Sequence, residues 1–220
     1  MGPGSVLGEG LHVQEDHLLL KGPDGAAALG AYRRDLRELY WEWEQDPAVL
    51  AGLGRQTLPS PEEHAELVHQ RAAATLDCLL FTVYDMTGEG PVPAGVAGVE
   101  GDFRRRKGMF YIALGSEAHR NKGVGSEAAR LVLDYAFHVA NLESVWLVAY
   151  ASNTRAIRAY QRAGFRKAGV IRRGGYWMGE RVDEVMMDAV PQDFTGISAV
   201  KQRVALSSRP QRNDRHCGEQ

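Results

Sequence analysis

The chain has 220 residues, with 26 Lys and Arg against 28 Asp and Glu, so its formal net charge is −2. This near-neutral balance gives no overall field for nucleic acid or for an acidic membrane surface, and we expect neither as a partner. A content of 44% hydrophobic and 25% charged residues is typical of a globular protein, which excludes wholesale disorder and fibrous repeats.

Two features of the sequence bear on the compartment. The longest apolar runs, residues 18–20 and 145–150, are far shorter than the ~20 residues that a membrane-spanning helix needs. The two cysteines, Cys78 and Cys217, lack CxxC spacing and cannot supply a disulfide framework or a four-ligand zinc site. We therefore expect a cytoplasmic protein without a metal site.

The N-terminal part begins with residues 1–11, which we expect to be flexible. Residues 13–21 are predicted to form a strand, and residues 24–44 a helix. This helix should end near Asp46-Pro47, because proline disfavours helix at the residue before it. Ser60-Pro61-Glu62-Glu63 then predicts a second helix, since Ser60 can be its N-cap and Glu63 can close a capping box.

The middle of the chain combines strands and helices. Three strands should follow the second helix, which we expect to end near Leu76: residues 78–85, 94–102 and 109–114. The stretch GSEAHRNKGVGSEA leads into a long helix with apolar residues at three- and four-residue spacing. A short buried strand over residues 145–149 precedes a helix over residues 154–163, capped by Asn153 and ended by Gly164.

The last predicted strands cover residues 166–172 and 181–190, on either side of the turn Arg173-Gly174-Gly175. Residues 191–220 are polar and are expected to form a solvated C-terminal tail, with a short helix over residues 196–206 as an alternative for part of it. Strands before, between and after helices indicate one α/β (α+β) domain over residues 12–190, with a mixed, mostly antiparallel sheet flanked by helices.

The segment Arg120-Asn121-Lys122-Gly123-Val124-Gly125-Ser126 has the features of a phosphate site. A strand that leads through it into a helix leaves backbone N–H groups unpaired at the positive end of the helix dipole. The two glycines allow a pyrophosphate to approach these amides closely, because they carry no Cβ. A surface loop with two solvated cations would show the same residues.

The same segment contains GxGxxA, the fingerprint of dinucleotide-binding folds, so a nucleotide-dependent oxidoreductase is an alternative. Such a fold places a carboxylate at the end of the next strand, whereas that strand ends in Ala149-Tyr150-Ala151-Ser152-Asn153. No Gly-Lys-Ser/Thr of a Walker loop is present.

Two separate motifs resemble the GNAT superfamily of acyl-CoA-dependent N-acetyltransferases. RNKGVG is similar to the family's coenzyme A pyrophosphate loop, and Asn153, Ala156, Tyr160, Gly164 and Phe165 are similar to its Asn…Tyr…Gly-Phe signature. Tyr40-Trp41-Glu42-Trp43 with Asp46-Pro47, and Gly179-Glu180-Arg181-Val182-Asp183, resemble the branch that contains ribosomal-protein N-terminal acetyltransferases and many small-amine acetyltransferases. The resemblance covers roughly residues 12–190.

The resemblance implies acetyl-CoA as co-substrate and an amine as acceptor. It places the coenzyme on the residues of the loop, at the end of the strand before it and on the following helix (Leu114, Arg120, Asn121, Lys122, Gly123, Val124, Gly125, Ser126, Asn153 and Tyr160). The strands containing Met109 and Val145 would splay apart and let the pantetheine arm add like an extra strand. Tyr160 would then donate a proton to the departing thiolate, although an aromatic that only packs on the helix is the alternative.

The general base is less clear from the sequence. Glu100, at the end of a predicted strand beside the expected cleft, is our choice, ahead of Asp102, His119 and Asp183. A base that acts through a chain of water molecules is an equally compatible alternative. Arg104-Arg105-Arg106-Lys107 could bind an anion such as the 3′-phosphate of the coenzyme, or form a solvated hairpin tip. A non-catalytic acyl-CoA-binding module remains an alternative, as does either a monomer or a homodimer. The acceptor, a small molecule or a protein N-terminus, is not specified by the sequence.

Overall fold

An eight-stranded mixed sheet lies at the centre of the computed structural model, which describes residues 17–53, 59–73 and 77–207. The strands are β1 (Leu18–Lys21), β2 (Ala27–Ala31), β3 (Cys78–Asp85), β4 (Val92–Asp102), β5 (Lys107–Leu114), β6 (Ser144–Tyr150), β7 (Arg166–Trp177) and β8 (Glu180–Ala189). Their order across the sheet is β1-β2-β3-β4-β5-β6-β8-β7. Among these strands, β5 and β6 form the one parallel pair, so the predicted mixed and mostly antiparallel sheet is confirmed.

Six α-helices flank the sheet in the part of the chain that the structure describes. They are α1 (Arg37–Glu44), α2 (Pro47–Gly52), α3 (Pro61–Ala73), α4 (Val124–His138), α5 (Thr154–Ala163) and α6 (Ala199–Ser207). The central helix is α4, whose predicted apolar positions Ala128, Leu131 and Val132 are almost completely buried in the core. Burial of the Leu and Val side chains contributes roughly 1.5–3 kcal/mol each, which fixes α4 firmly against the sheet.

The predicted helix over residues 24–44 is wrong in its first half. Residues 27–31 form β2, which pairs with β1 on one side and with β3 on the other, and the helix begins only at Arg37. The alanines favour helix in isolation, but here they fill a strand that is buried between its neighbours. A Cβ on Gly30 would lie 2.7 Å from the carbonyl oxygen of His17, so the tight packing selects a glycine.

The start of α3 confirms the predicted capping box. The backbone N–H of Glu63 donates to the Ser60 hydroxyl at 3.2 Å, and the backbone N–H of Ser60 donates to the Glu63 carboxylate at 2.9 Å. The predicted end near Leu76 falls at residues 74–76, outside the described residues, as do residues 1–11 and 13–16 of the predicted terminus and first strand.

The last hairpin turns later than predicted. Residues 173–175 lie within β7 as an irregularity in the pairing with β8, and the chain reverses at Met178 and Gly179. Both residues have positive φ values, 49° and 85°, as the tight turns that suit hairpins require. Nothing about Met178 in the sequence predicts this conformation. Gly174 and Gly175 suggest a turn in the sequence, but in the structure they lie within β7, where Glu184 and Tyr150 pack against them.

Part of the predicted C-terminal tail packs against the domain. The Asp134 carboxylate of α4 accepts hydrogen bonds from the Ser198 hydroxyl at 2.6 Å and from the Val200 backbone at 3.1 Å, which anchors the start of α6. Val200 is buried, while residues 208–220 lie outside the described part. The domain boundary at residue 190 therefore stays a prediction. No described helix has the length and apolar character needed to cross a membrane.

Candidate active site

The candidate site begins where β5 and β6 part. Their pairing covers only residues 107–109 against residues 144–146 and stops at Met109 and Trp146. Beyond this point β5 continues on β4 as far as Leu114, and β6 continues on β8 as far as Tyr150. We call the space between residues 110–114 and 147–150 the strand gap. Across this space β5 and β6 do not pair with each other, in agreement with the expected splaying of these two strands.

The loop at the end of β5 ends in the N-terminus of α4. Gly123 is the N-cap with a φ of 88°, a conformation that favours glycine, and no side chain caps the helix. Among the described residues, none accepts a hydrogen bond from the backbone N–H groups of residues 121–126. Six consecutive unpaired donors at the positive end of a 15-residue helix form a strong site for an anion.

Two buried carboxylates anchor this loop to neighbouring parts of the domain. Glu127, in the first turn of α4, accepts hydrogen bonds at 2.6 Å from the backbone N–H groups of Asp24, Ala26 and Ala27. Asp85, at the end of β3, lies 2.8 Å from His119 Nδ1. These contacts tie the loop to the β1–β2 turn and to β3, so the donors are fixed before any ligand binds.

Asp85 is itself held in its charged form. Burial alone would raise the pKa of Asp85, but hydrogen bonds from Thr87 and His119 outweigh it and lower the pKa below its usual value. Lys122 also points to this carboxylate, with Nζ 3.9 Å away, so Lys122 neutralises Asp85 instead of extending freely from the loop.

A cavity of about 450 Å³ lies between this loop, the strand gap and α5. Its charged lining residues are four arginines, and no described aspartate or glutamate lines it; the arginines are Arg120, Arg155, Arg158 and Arg162. The last three occupy positions i, i+3 and i+7 of α5 and form a row ~10 Å long on one helix face. This lining suits a ligand with several negative charges.

Arg120 differs from the other three arginines. Its side chain is 11% exposed, and its guanidinium reaches the Leu114 carbonyl at 3.4 Å, Glu117 at 3.7 Å and Asp46 at 4.0 Å. It therefore joins the loop to β5 and to the residues before α2. Arg155, Arg158 and Arg162 are exposed and have no acidic partner among the described residues, which leaves their charge available to a ligand.

Tyr160 lies in the wall of the cavity, half-buried on α5. Its ring meets Phe110 and Phe165 edge to face, with centroids 5.8 and 6.0 Å away. Burial raises the pKa of Tyr160 to about 12. No described residue hydrogen-bonds to its hydroxyl, so the phenol is protonated at neutral pH and free to donate into the cavity.

Most of the predicted binding residues line this one cavity. They are Leu114, Arg120, Asn121, Gly123, Gly125, Ser126, Asn153 and Tyr160. Asn153 also acts as the predicted N-cap of α5, since its side-chain oxygen accepts a hydrogen bond from the Ala156 backbone at 3.2 Å. Lys122 and Val124 lie outside the lining: Lys122 faces Asp85, and Val124 is fully buried in the core.

Glu100 also lies outside the cavity, on the opposite face of the sheet. It pairs across β4 and β5 with Met109, which in turn pairs with Trp146 where the strands part. Neighbouring strands lie ~4.8 Å apart, so Glu100 is one strand removed from the closed end of the strand gap. The structure thus brings it near the gap from the side opposite α5.

The α5 arginines and the lining residues of α2 were missed by the sequence analysis. The signal for the arginines was present, because TRAIRAYQRA repeats Arg at helical spacing and contains no acid. Arg104–Lys107 is instead at the far end of β5 from Leu114, ~23 Å away along the strand. Arg105 and Arg106 pair there with Asp102 and Glu143, and the structure does not bring this cluster to the cavity.

Two aromatic residues of α1 are packing residues rather than pocket lining. The Tyr40 hydroxyl lies 2.6 Å from Thr82 Oγ1, and its ring is buried. Trp43 covers Gly115, where an added Cβ would lie 2.0 Å from the indole ring. They hold α1 on the sheet beside the end of β5. Within the described ranges, no three His, Cys, Asp or Glu side chains are grouped in a way that could hold a metal ion.

The chain matches known proteins by sequence over part of its length. The family model described as an acetyltransferase (GNAT) domain matches residues 29–166. A probable N-acetyltransferase, YjcK of Bacillus subtilis, is 37% identical over 70 residues, which are 30% of this chain and 39% of that protein. Spermidine N(1)-acetyltransferase of Escherichia coli K12 is 35% identical over 71 residues, 32% of this chain and 38% of the other. The matches thus span less than two-fifths of these relatives.

Solved structures share the fold over a longer stretch. Spermidine N-acetyltransferase from Vibrio cholerae, in complex with CoA and spermine, has a TM-score of 0.69 at 19% identity and covers 77% of this chain and 98% of its own. An acetyltransferase of the GNAT family from Bacillus anthracis has a TM-score of 0.65 at 20% identity, with coverage of 79% and 98%. At this identity the likeness concerns the fold.

Proposed function

The chain belongs to the GNAT acetyltransferase domain family, and we propose that it transfers the acetyl group of acetyl-CoA to a primary amine of a small molecule or a protein N-terminus. The observation that carries this proposal is the cavity in which the unpaired amides of residues 121–126, the α5 arginines and the strand gap meet. Spermidine, the substrate in the names of the Escherichia coli relative and of the Vibrio cholerae structure, is the first acceptor to test.

The donor fits this cavity by charge and by shape. Coenzyme A carries a diphosphate, which matches the amides at the N-terminus of α4, and a 3′-phosphate, which matches the row Arg155, Arg158 and Arg162. Its pantetheine arm carries two amides, which can pair with the backbone edges of the strand gap as an added strand does. The thioester would then lie near Tyr160.

The reaction needs three proton movements. The substrate ammonium first loses a proton to a base, for which Glu100 remains our candidate, since it lies on the acceptor face beside Met109. The neutral amine then attacks the thioester carbon, the C–S bond breaks, and the nitrogen releases its second proton to water. The sulfur leaves as a thiolate that takes a proton from Tyr160, and Tyr160 regains a proton from water, because its raised pKa keeps it protonated at the start of each cycle.

The fold argues against the dinucleotide alternative. A dinucleotide fold uses a run of parallel strands, whereas the described sheet has parallel pairing only between β5 and β6. We also propose that the protein is cytoplasmic, as expected from a sequence with two cysteines that cannot supply a disulfide framework. The ribosomal-protein branch and a monomeric or dimeric state stay predictions.

An acceptor screen tests the proposed function. The protein is incubated with acetyl-CoA and, in turn, spermidine, a short peptide with a free N-terminus and an amino sugar, while thiol release and the acetylated product are measured. We expect CoA release coupled to one of these amines, and binding of CoA but not of NADPH in a parallel titration. CoA binding without transfer to any amine would instead indicate a non-catalytic module, and binding of NADPH alone would contradict the proposal.

A further inference from the structure

The strand gap has a second side, on the sheet face away from α5. Val145 and Leu147 of β6 are buried in the core with α4, so the alternating residues Trp146, Val148 and Tyr150 lie on the other face. These three side chains are half-buried. Tyr150 is the last residue of β6, beyond the point where β6 leaves β5. A ligand on this face would therefore meet the gap from the side opposite Tyr160.

Three polar side chains from β6, β7 and β8 come together here, and we call Tyr150, Trp177 and Glu184 the acceptor cluster. Tyr150 pairs with Glu184 across the two strands, and the rings of Tyr150 and Trp177 meet edge to face with centroids 5.4 Å apart. All three are half-buried, so part of each side chain is accessible to a ligand.

The glycines of β7 make room for this cluster. A Cβ on Gly174 would lie 2.6 Å from a carboxylate oxygen of Glu184, and one on Gly175 would lie 2.3 Å from the Tyr150 ring. Both contacts are closer than van der Waals packing allows. Glycine is therefore required at both positions, because the carboxylate and the phenol occupy the space of a side chain. This explains why two glycines stand inside a strand.

None of the three polar groups has a partner within the described residues. The Glu184 carboxylate makes no ion pair or hydrogen bond there, and neither the Tyr150 hydroxyl nor the Trp177 indole N–H makes one. Burial, and after it the charge of Glu184, raises the pKa of Tyr150. A carboxylate partly withdrawn from water without a counter-ion is costly, and it is stabilised when a cation binds beside it.

The chemistry of the cluster selects a cation. Ammonium groups bind to carboxylates and to the faces of Tyr and Trp rings, and the cluster presents both kinds of group to one space. The nearby cations Arg172, Arg173 and Arg181 have exposed side chains, and Arg181 lies over the Tyr176 ring at 5.3 Å instead of pairing with Glu184. The negative charge of Glu184 thus remains available.

We propose that Tyr150, Trp177 and Glu184 bind a cationic centre of the acceptor, so that the substrate class is an alkyl amine that carries positive charge. This rests on the proposed function, because the amine must reach a thioester held in the strand gap. Acceptor and donor then enter the gap from opposite faces of the sheet. Glu184 is a specificity-determining residue here, distinct from the base that takes the proton of the amine.

Calorimetric titration tests the acceptor cluster separately from the donor. The Kd of CoA is measured first, and the CoA complex is then titrated with spermidine, butylamine and glutarate. We expect the two amines to bind and glutarate not to bind. Glu184→Gln should weaken spermidine binding about tenfold or more with the Kd of CoA unchanged, because it removes the charge but keeps the shape. Trp177→Leu should weaken it by a smaller factor of about three.

Glu89→Gln is the matched control, since Glu89 is an exposed carboxylate in the turn between β3 and β4 and its removal changes the net charge equally. It should leave spermidine binding unchanged. The proposal is overturned if Glu184→Gln binds spermidine as the wild type does, if Glu89→Gln weakens it as much, or if a protein that binds CoA prefers glutarate or binds no amine. Failure to bind CoA, with amine binding still dependent on Glu184, would contradict the proposed function alone.

Discussion

The two faces of the strand gap are built from different groups. On the face of α5, the anion site consists of backbone amides of one loop and of arginines from one helix, all within residues 120–162. On the other face, the acceptor cluster consists of side chains from three strands that meet through sheet pairing. The first face is positive and rigidly anchored, and the second is negative and aromatic. The comparison teaches that the proposed donor site comes from one continuous stretch of the chain, while the proposed acceptor site needs side chains that only sheet pairing brings together.

The largest effect is expected when the proton donor on the α5 face is removed. Tyr160→Phe should lower kcat by ~10²-fold, because the thiolate would leave without a proton from the phenol. The KM of acetyl-CoA should change little, since the ring and its packing against Phe110 are kept. Steady-state kinetics with both substrates measures this. An unaltered kcat would remove Tyr160 from the mechanism.

A smaller effect is expected from the charge on the same face. Replacement of Arg155, Arg158 and Arg162 together by Gln should raise the KM of acetyl-CoA ~30-fold, because three charge-assisted contacts to phosphate are lost. This increase in KM should be smaller at high salt. It should also be smaller with acetyl-dephospho-CoA, which lacks the 3′-phosphate. Arg181→Gln, outside the cavity, is the control. An equal loss for both coenzymes would argue against contact with the 3′-phosphate.

The acceptor face contains the candidate base. Glu100→Gln should lower kcat/KM for the amine ~10-fold, because deprotonation of the attacking ammonium would depend on water. The loss in kcat/KM should be largest at low pH. It should disappear as the pH approaches the pKa of the free amine, because the amine is then deprotonated without a base. A uniform loss across the pH range, or none, would exclude Glu100 as the base.

Loss of the contact that anchors the loop is expected to have a modest effect on stability. Asp85→Asn should lower the free energy of unfolding by about 1–2 kcal/mol, because the contact with His119 loses its charge. Since the pKa of Asp85 is lowered in the folded state, its contribution is present at neutral pH and lost as the pH falls below the usual value of 3.8. Denaturant unfolding at pH 7 and pH 3 should show the variant and wild type converging at low pH, and a constant difference would contradict this.

The last prediction is that titration of Tyr160 will not affect the rate below pH 10. With the pKa of Tyr160 raised to about 12, the phenol stays protonated well above pH 9. The rate should therefore show no fall near pH 10 that is due to this tyrosine, and a fall in wild type that Tyr160→Phe abolishes would contradict the raised pKa. The wild-type and Tyr160→Phe profiles, measured from pH 7 to pH 10.5, supply the comparison.

Local sequence was enough for the α5 face and insufficient for the other. Residues 120–126 and the helix after Asn153 are continuous segments, so the glycines, the cap and the tyrosine could be placed from spacing alone. The acceptor cluster depends on the register of Tyr150 with Glu184 and on the late turn at Met178, which spacing does not encode. The strand Ala27–Ala31 was missed for the same reason, because pairing with β3 overrides the helix preference of alanine.

A crystal structure of the protein with CoA tests the central claim most directly. We expect the diphosphate on the backbone N–H groups of residues 121–126, the pantetheine arm in the strand gap and the sulfur within hydrogen-bonding distance of the Tyr160 hydroxyl. Coenzyme A bound elsewhere, or a sulfur on the far side of the cavity from Tyr160, would contradict the account.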